Sequence, residues 1–92
     1  MSLLSLGSVV ALGKNEEVNA MIIGYYPIDK AENVLKEYVG VLYPAGISLE
    51  LRFITFNYSE ITKVLFPGYE NEKSKAFNEM LSALVTAKNQ PQ

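Results

Sequence analysis

The first two thirds of the chain alternate short apolar runs with polar turns, a pattern that predicts β-strands. Residues 8–12 and 18–26 are mostly apolar and are separated by the polar residues 13–17, so they predict two paired strands. Residues 38–43 predict a third strand, and the Pro-Ala-Gly sequence of residues 44–46 suits the tight turn that would end it.

Two further strands are predicted before the pattern changes. Residues 49–56 predict a fourth strand, whose side chains alternate between two faces. One face carries Leu49, Leu51, Phe53 and Thr55, and the other carries Glu50, Arg52, Ile54 and Phe56. We expect the first face to point into the core and the second to be only partly solvated, with Phe56 packed at an end. A fifth strand is expected at residues 63–66, where Pro67 and Gly68 close it.

Two pairs of residues have the three-residue spacing of a helical capping box. Asp29 with Glu32 predicts a short helical turn after the second strand. Asn57 with Glu60 predicts a single helical turn before the fifth strand.

From residue 71 to residue 88 the apolar positions recur every three or four residues, which predicts an amphipathic helix. Two interpretations of its apolar stripe stay open: the stripe caps the sheet, which we favour, or it is presented to a partner as a helix-in-groove ligand. Residues 89–92 are expected to fray. The stripe consists of Phe77, Met80, Leu81, Leu84 and Val85.

These elements predict one domain that spans residues 1–92. The strands come first and the helix last, an order typical of the α+β class. We therefore expect a small, bent antiparallel sheet or an SH3-like barrel of about five strands with a C-terminal amphipathic helix.

The composition argues against catalysis. The chain contains no histidine, cysteine or tryptophan. Histidine and cysteine most often carry acid-base, nucleophilic and metal chemistry near neutral pH. We therefore expect no enzymatic activity, no catalytic residue, no metal site and no bound cofactor.

Charge and hydropathy narrow the choice of partner. The formal net charge is -2, and no block of lysine and arginine is present to neutralise a phosphate backbone, so nucleic acid is not an expected partner. The longest mostly apolar run, residues 20–28, is far shorter than the roughly 20 residues of a membrane-spanning helix, so no membrane partner is expected. The absence of cysteine fits a reducing, cytoplasmic location.

The tyrosines are the candidate contact residues, because aromatic side chains are enriched at binding hot spots. Adjacent strand residues point to opposite faces, so one member of the pair Tyr25 and Tyr26 is expected at the surface. The same alternation applies to Tyr38 and Tyr43. The residues we select as partner contacts are Tyr26, Tyr38 and Tyr69.

Five short motifs follow one another along the chain. They are Leu6-Gly7-Ser8-Val9-Val10-x-Leu12, Met21-Ile22-Ile23-Gly24, Tyr38-Val39-Gly40-Val41-Leu42-Tyr43-Pro44-x-Gly46, Phe56-Asn57-x-x-x-Ile61 and Phe66-x-Gly68-Tyr69-Glu70. In this order they resemble a small family of proteins from Gram-positive bacteria. That family is a domain of unknown function often encoded near type VII secretion genes and the LXG toxins exported by that system. The resemblance implies an accessory, chaperone or adaptor role and carries over no catalytic residue.

The expected function is therefore a non-catalytic, cytoplasmic protein that binds a secreted toxin or a secretion component. One alternative is a self-associating structural protein whose apolar surface is covered by a second copy of the chain. Another is an immunity protein, which would bind the same toxin but neutralise it.

Overall fold

A five-stranded antiparallel sheet forms the centre of the molecule in the computed structural model, which describes residues 3–29, 31–49 and 51–89. In chain order the elements are β1 (Val9–Leu12), β2 (Val18–Tyr25), β3 (Ile28–Asp29), β4 (Val34–Leu35), β5 (Tyr38–Leu42), β6 (Ile54–Phe56), a 3-10 helix (Tyr58–Glu60), β7 (Ile61–Phe66) and α1 (Glu72–Asn89). The large sheet has the order β6-β5-β2-β1-β7, and β3 pairs with β4 in a separate hairpin.

The predicted α+β class is confirmed, with five antiparallel strands followed by one C-terminal helix. Of the two predicted architectures, the open sheet is correct. β6 and β7 are the two edges and do not pair with each other, so the sheet is not closed into a barrel. Part of the predicted frayed tail, residues 90–92, lies outside the described residues, and Asn89 still belongs to α1.

The predicted helical turn at Asp29 is wrong. Asp29 ends β3 in the β3–β4 hairpin, and its side chain stabilises the turn instead of starting a helix. One carboxylate oxygen accepts a hydrogen bond from the amide of Ala31 at 3.0 Å, while the Thr55 hydroxyl donates to the other at 3.2 Å. Aspartate makes such contacts in turns as readily as at helix N-termini, so the spacing alone did not distinguish them.

The predicted fourth strand is too long, and its first face does not point into the core. Only residues 54–56 form β6. Leu49 is 100% exposed, whereas Phe56, which we expected to pack at an end, is 1% exposed. Both faces of this segment carry large apolar residues, so alternation did not decide between them. Strand pairing determines which side chain is buried, because β6 places Phe56 opposite the buried Tyr38 of β5.

The boundaries of the other predicted elements are confirmed within one or two residues. The 3-10 helix begins after Asn57, whose amide donates to the Glu60 carboxylate at 2.7 Å as in a capping box. β7 starts at Ile61, two residues before the predicted strand, and α1 begins one residue after the predicted start.

The core lies on one face of the sheet, beneath the N-terminal segment and α1. Cross-strand pairs of small and large residues build this inner face, such as Val10 opposite Ala20 and Ile22 opposite Gly40. Leu81 of α1 packs against the cluster. The buried cluster consists of Leu3, Val10, Ala20, Ile22, Tyr38 and Phe56.

Gly40 is the position where the inner face leaves no room for a side chain. A Cβ there would lie 2.6 Å from the Met21 carbonyl oxygen and 3.2 Å from Cε1 of Phe56. We therefore expect Gly40→Ala to lower the free energy of unfolding by about 2 kcal/mol or more, since the backbone of a central strand must move. Urea titration followed by circular dichroism measures this change.

Gly46→Ala is the matched control. Gly46 has a φ of 61°, but no atom lies within 4 Å of its added Cβ. Gly46→Ala should therefore lower the free energy of unfolding by only about 1 kcal/mol, the cost of a positive φ for alanine. A larger loss for Gly46→Ala than for Gly40→Ala would contradict this account of the inner face.

Candidate partner-binding surfaces

Helix α1 contacts the sheet with only part of its apolar stripe. The half-buried residues of the helix are Ser74, Asn78, Leu81, Ser82 and Val85. The remaining stripe residues Phe77, Met80 and Leu84 are each 50% exposed. At 100° per residue, the centre of the contacting face is displaced by about 75° from the centre of the stripe. One side of the stripe therefore covers the core, as the favoured interpretation predicts, and the other side is half exposed; binding of a partner by that side stays a prediction.

The segment that enters α1 is fixed by backbone contacts with residues 5–8. A Cβ on Gly68 would lie 2.1 Å from the Leu6 carbonyl oxygen, so only glycine permits this crossing. The Gly68 amide donates to the Ser8 hydroxyl at 2.9 Å, and the Ser5 hydroxyl donates to Glu70 at 3.1 Å. These contacts set where the helix begins.

The first turn of α1 is closed by a reciprocal cap. Asn71 Oδ1 accepts from the Ser74 amide at 2.9 Å, and the Asn71 amide donates to the Ser74 hydroxyl at 2.9 Å. Lys75 forms an ion pair with Glu70 at 3.5 Å on the neighbouring turn. Polar contacts therefore stabilise the first turn of the helix, and these contacts do not use its apolar side chains.

A cleft of about 360 Å³ lies where α1 starts, and we call it the Tyr69 cleft. Tyr69 is 81% exposed, and Leu6 and Phe77 are about half exposed. Met80 and Leu84 continue the apolar surface along the helix from Phe77; we call these three residues the helix flank. The cleft is lined by Leu6, Tyr25, Tyr69, Ser74, Phe77 and Asn78.

The three selected tyrosines have different environments. Tyr69 lies in the cleft. Tyr26 is half-buried and packs against the core cluster. Tyr38 is fully buried, so the structure removes it from the candidate contact residues. The reason is its register: it lies opposite Tyr25 and Phe56 on the inner face, whereas Tyr43 at the end of β5 is exposed, as the alternation predicted.

Tyr25 and Tyr38 bind the backbone of one N-terminal residue. The Tyr38 hydroxyl accepts a hydrogen bond from the Leu4 amide at 3.1 Å, and the Tyr25 hydroxyl donates to the Leu4 carbonyl. Burial raises the pKa of both phenols above the usual 10.0, because it disfavours the charged form. Through Leu4, Tyr25 of the Tyr69 cleft is connected to Tyr38 of the core cluster.

The opposite face of the sheet carries a second apolar surface, which we call the outer face. In register across four strands lie Phe66, Val9, Met21 and Val41. Phe66 is exposed, Val9 and Met21 are half-buried, and Val41 is buried. A hollow of about 500 Å³ opens on this face, and it is lined by Gly7, Val9, Asn19, Met21, Tyr43, Leu65 and Phe66. Asn19 is the one lining residue with a polar side chain other than the Tyr43 hydroxyl.

The outer face was not predicted from the sequence, although a signal was present. Residues 9–11 and 20–23 are apolar at every position, not at alternate ones. A continuous apolar run is typical of a strand that meets apolar surroundings on both sides. β1 and β2 are such strands.

Neither surface has the residues of a metal centre. No group of three or more His, Cys, Asp or Glu side chains lies close enough to hold an ion within residues 3–29, 31–49 and 51–89. In the same ranges, no helix is long and apolar enough to cross a bilayer. What the two surfaces offer chemically is apolar and aromatic contact.

Comparison with known proteins assigns the chain to a family. Residues 3–77 match the model of a domain of unknown function, DUF4176. The chain belongs to the DUF4176 family. No curated protein and no solved structure matches it. The part that matches the DUF4176 model contains the whole outer face and the Tyr69 cleft up to Phe77, while Met80 and Leu84 lie beyond it.

The raised phenol pKa values predict an alkaline limit to the stability of this DUF4176 domain. The folded chain keeps Tyr25 and Tyr38 protonated at a pH where the unfolded chain ionises them. The two phenols therefore contribute fully to the free energy of unfolding below the unfolded pKa of 10.0. This contribution is lost as the pH rises through the raised pKa of the folded state. We expect the free energy of unfolding from urea titrations to fall steeply above about pH 10.

A double variant checks that these phenols are responsible. The variant Tyr25→Phe with Tyr38→Phe removes both phenol groups and starts from a lower stability than the wild type. Its free energy of unfolding should nevertheless fall less steeply above about pH 10. Tyr58→Phe removes an exposed phenol and is the matched control. An unchanged slope in the double variant would contradict the assignment.

Proposed function

We propose that this DUF4176 chain is a non-catalytic accessory protein that binds another protein through the Tyr69 cleft and the helix flank. The observation that carries the proposal is the rotation of α1, which leaves Phe77, Met80 and Leu84 half exposed beside Tyr69. An exposed aromatic and aliphatic surface that borders polar side chains has the composition of a protein-binding site.

The chemistry of the surface supports binding by apolar anchoring. Tyrosine and phenylalanine bury a large area at a small cost in conformational entropy, and they dominate the energetics of many interfaces. Covering the exposed half of a side chain such as Phe77 contributes about 1 kcal/mol. Ser74 and Asn78, which line the cleft between the aromatic residues, supply hydrogen-bonding groups that fix the orientation of a partner.

The specific role that we propose is that of a cytoplasmic chaperone or adaptor for a toxin of the LXG type that is exported by type VII secretion. The support for this role is the resemblance of the five sequence motifs. An export factor of this kind must hold an apolar segment of its client away from water, and the exposed helix flank suits that task.

Binding to the toxin encoded next to the gene tests the proposal. We expect the wild-type chain to bind a catalytically inactive, full-length form of that toxin in isothermal titration calorimetry. Tyr69→Ala and Phe77→Ala should each weaken binding by about tenfold or more, because each removes an aromatic anchor from the cleft. Tyr69 is 81% exposed and Phe77 is half exposed, so folding should be retained.

Tyr58→Ala is the control for these variants. Tyr58 is a tyrosine about as exposed as Phe77, on the 3-10 helix and outside the Tyr69 cleft. The affinity of the Tyr58→Ala variant for the inactive toxin should equal that of the wild type. Equal affinity in all three variants would contradict the proposed surface. Co-expression with the active toxin distinguishes a chaperone or adaptor from an immunity protein. Protected growth without improved export of the toxin would identify an immunity protein instead.

A further inference from the structure

The helix flank has the residue spacing of a contact between two helices. Phe77, Met80 and Leu84 follow one another at intervals of three and four residues. At 100° per residue they lie within about 60° of one another around the axis of α1. Each side chain is 50% exposed. Intervals of three and four residues are those of the a and d positions of a heptad, where the side chains of one helix pack between those of a second helix.

Small side chains lie directly beside the flank. Ala76 and Ala83 are seven residues apart, are both exposed, and occupy the adjoining part of the helix surface on the side away from the sheet. Methyl side chains let a second helix approach α1 closely, to an axial separation of about 8 Å. That helix repeats the spacing of the flank, which alternates between about 4.5 and 6 Å along the axis, whereas one face of a strand repeats every 6.6 Å or so.

Two carboxylates border the small side chains. Glu72 and Glu79 are exposed and are also seven residues apart, so they form the far edge of the same strip of the helix. Lys73 lies in line with the flank at its N-terminal end, and Lys75 forms an ion pair with Glu70. A helix that packs on the flank therefore meets acidic side chains along one side. Lysine or arginine at the facing positions favours its binding.

We propose that the element of the partner bound on the helix flank is an amphipathic α-helix, with apolar residues at the a and d positions of a heptad and basic residues beside them. Its apolar row packs against Phe77, Met80 and Leu84, and its basic residues face Glu72 and Glu79. This inference rests on the proposed function, because it specifies what binds at the same surface.

Binding of three synthetic peptides to the full chain tests the proposal. Each peptide has about 21 residues, or three heptads. The first carries leucine at positions a and d and lysine at e and g, where like charges oppose pairing of the peptide with itself. The second carries glutamate in place of each lysine. The third has the composition of the first, but its leucines alternate with polar residues as in a strand.

Fluorescence anisotropy of labelled peptides measures the three affinities. We expect the first peptide to bind at least about tenfold more tightly than the second or the third, because only the first matches both the spacing and the charge of the flank. Circular dichroism should show that the first peptide gains helix when it binds.

Variants of the chain locate the contact. Met80→Gln with Leu84→Gln removes the two aliphatic side chains of the flank and should weaken binding of the first peptide by about tenfold or more. Leu49→Gln with Leu51→Gln is the matched control, since both leucines are exposed and lie outside the flank. Its affinity for the first peptide should equal that of the wild type.

Glu72→Gln with Glu79→Gln tests the charge preference. Without the two carboxylates, the chain should bind the lysine peptide and the glutamate peptide with affinities that differ by less than about threefold. Circular dichroism shows whether each variant is folded. If Met80→Gln with Leu84→Gln does not fold, Phe77→Gln replaces it, with the same expected loss of affinity.

Three results would overturn the helix as the bound element: no binding of the first peptide, equal affinity for the heptad and the alternating peptides, or unchanged affinity after the flank is altered. The proposed function is judged by a different measurement, the binding of the inactive toxin and its loss in Tyr69→Ala. Toxin binding that depends on Tyr69, combined with any of the three results, would retain the partner-binding role and reject only the helix.

Discussion

Tyr38 connects the parts of the chain that would otherwise have no common anchor. Its ring stacks on Phe56 with 5.7 Å between centroids, and it lies 6.0 Å from the ring of Tyr25. Its hydroxyl accepts from the Leu4 amide, so one side chain joins β5, β6, β2 and the N-terminal segment. That segment continues into the contact with Gly68, which fixes the start of α1. The position of the helix, and with it the Tyr69 cleft, therefore depends on a buried phenol more than thirty residues away in sequence from the backbone it binds.

The open sheet explains why this small chain has two apolar surfaces. A single helix and a short N-terminal segment cover most of one face, but a helix about 10 Å wide does not cover five strands. The rotation of α1 leaves its flank beside the cleft, and on the other face Phe66 is exposed while Val9 and Met21 are half-buried. The two surfaces are on opposite sides of the sheet, and the Tyr69 cleft shares no lining residue with the hollow of the outer face.

Much of the fold was predictable from the sequence because the turns are strongly marked. Lys14 and Asn15 between apolar runs indicated the β1–β2 hairpin, and Pro67-Gly68 indicated the end of β7. Predictions failed where the residues permit two structures, as at Asp29, or where both faces of a segment are apolar, as at Leu49 and Phe56. The site was only partly predictable. Alternation shows that Tyr38 and Tyr43 point to opposite faces, but which face is buried follows from pairing across the sheet, which involves residues far apart in sequence.

The position of β1 inside the sheet has a consequence for synthesis on the ribosome. β1 is made first, yet its two neighbours in the sheet are β2, which follows at once, and β7, which is made about fifty residues later. Until β7 arrives, the β1–β2 hairpin has an unpaired edge and apolar residues on both faces. Such a hairpin is a template for wrong strand pairing. The nascent chain therefore passes through an interval in which this edge is open to wrong pairing until β7 has been made.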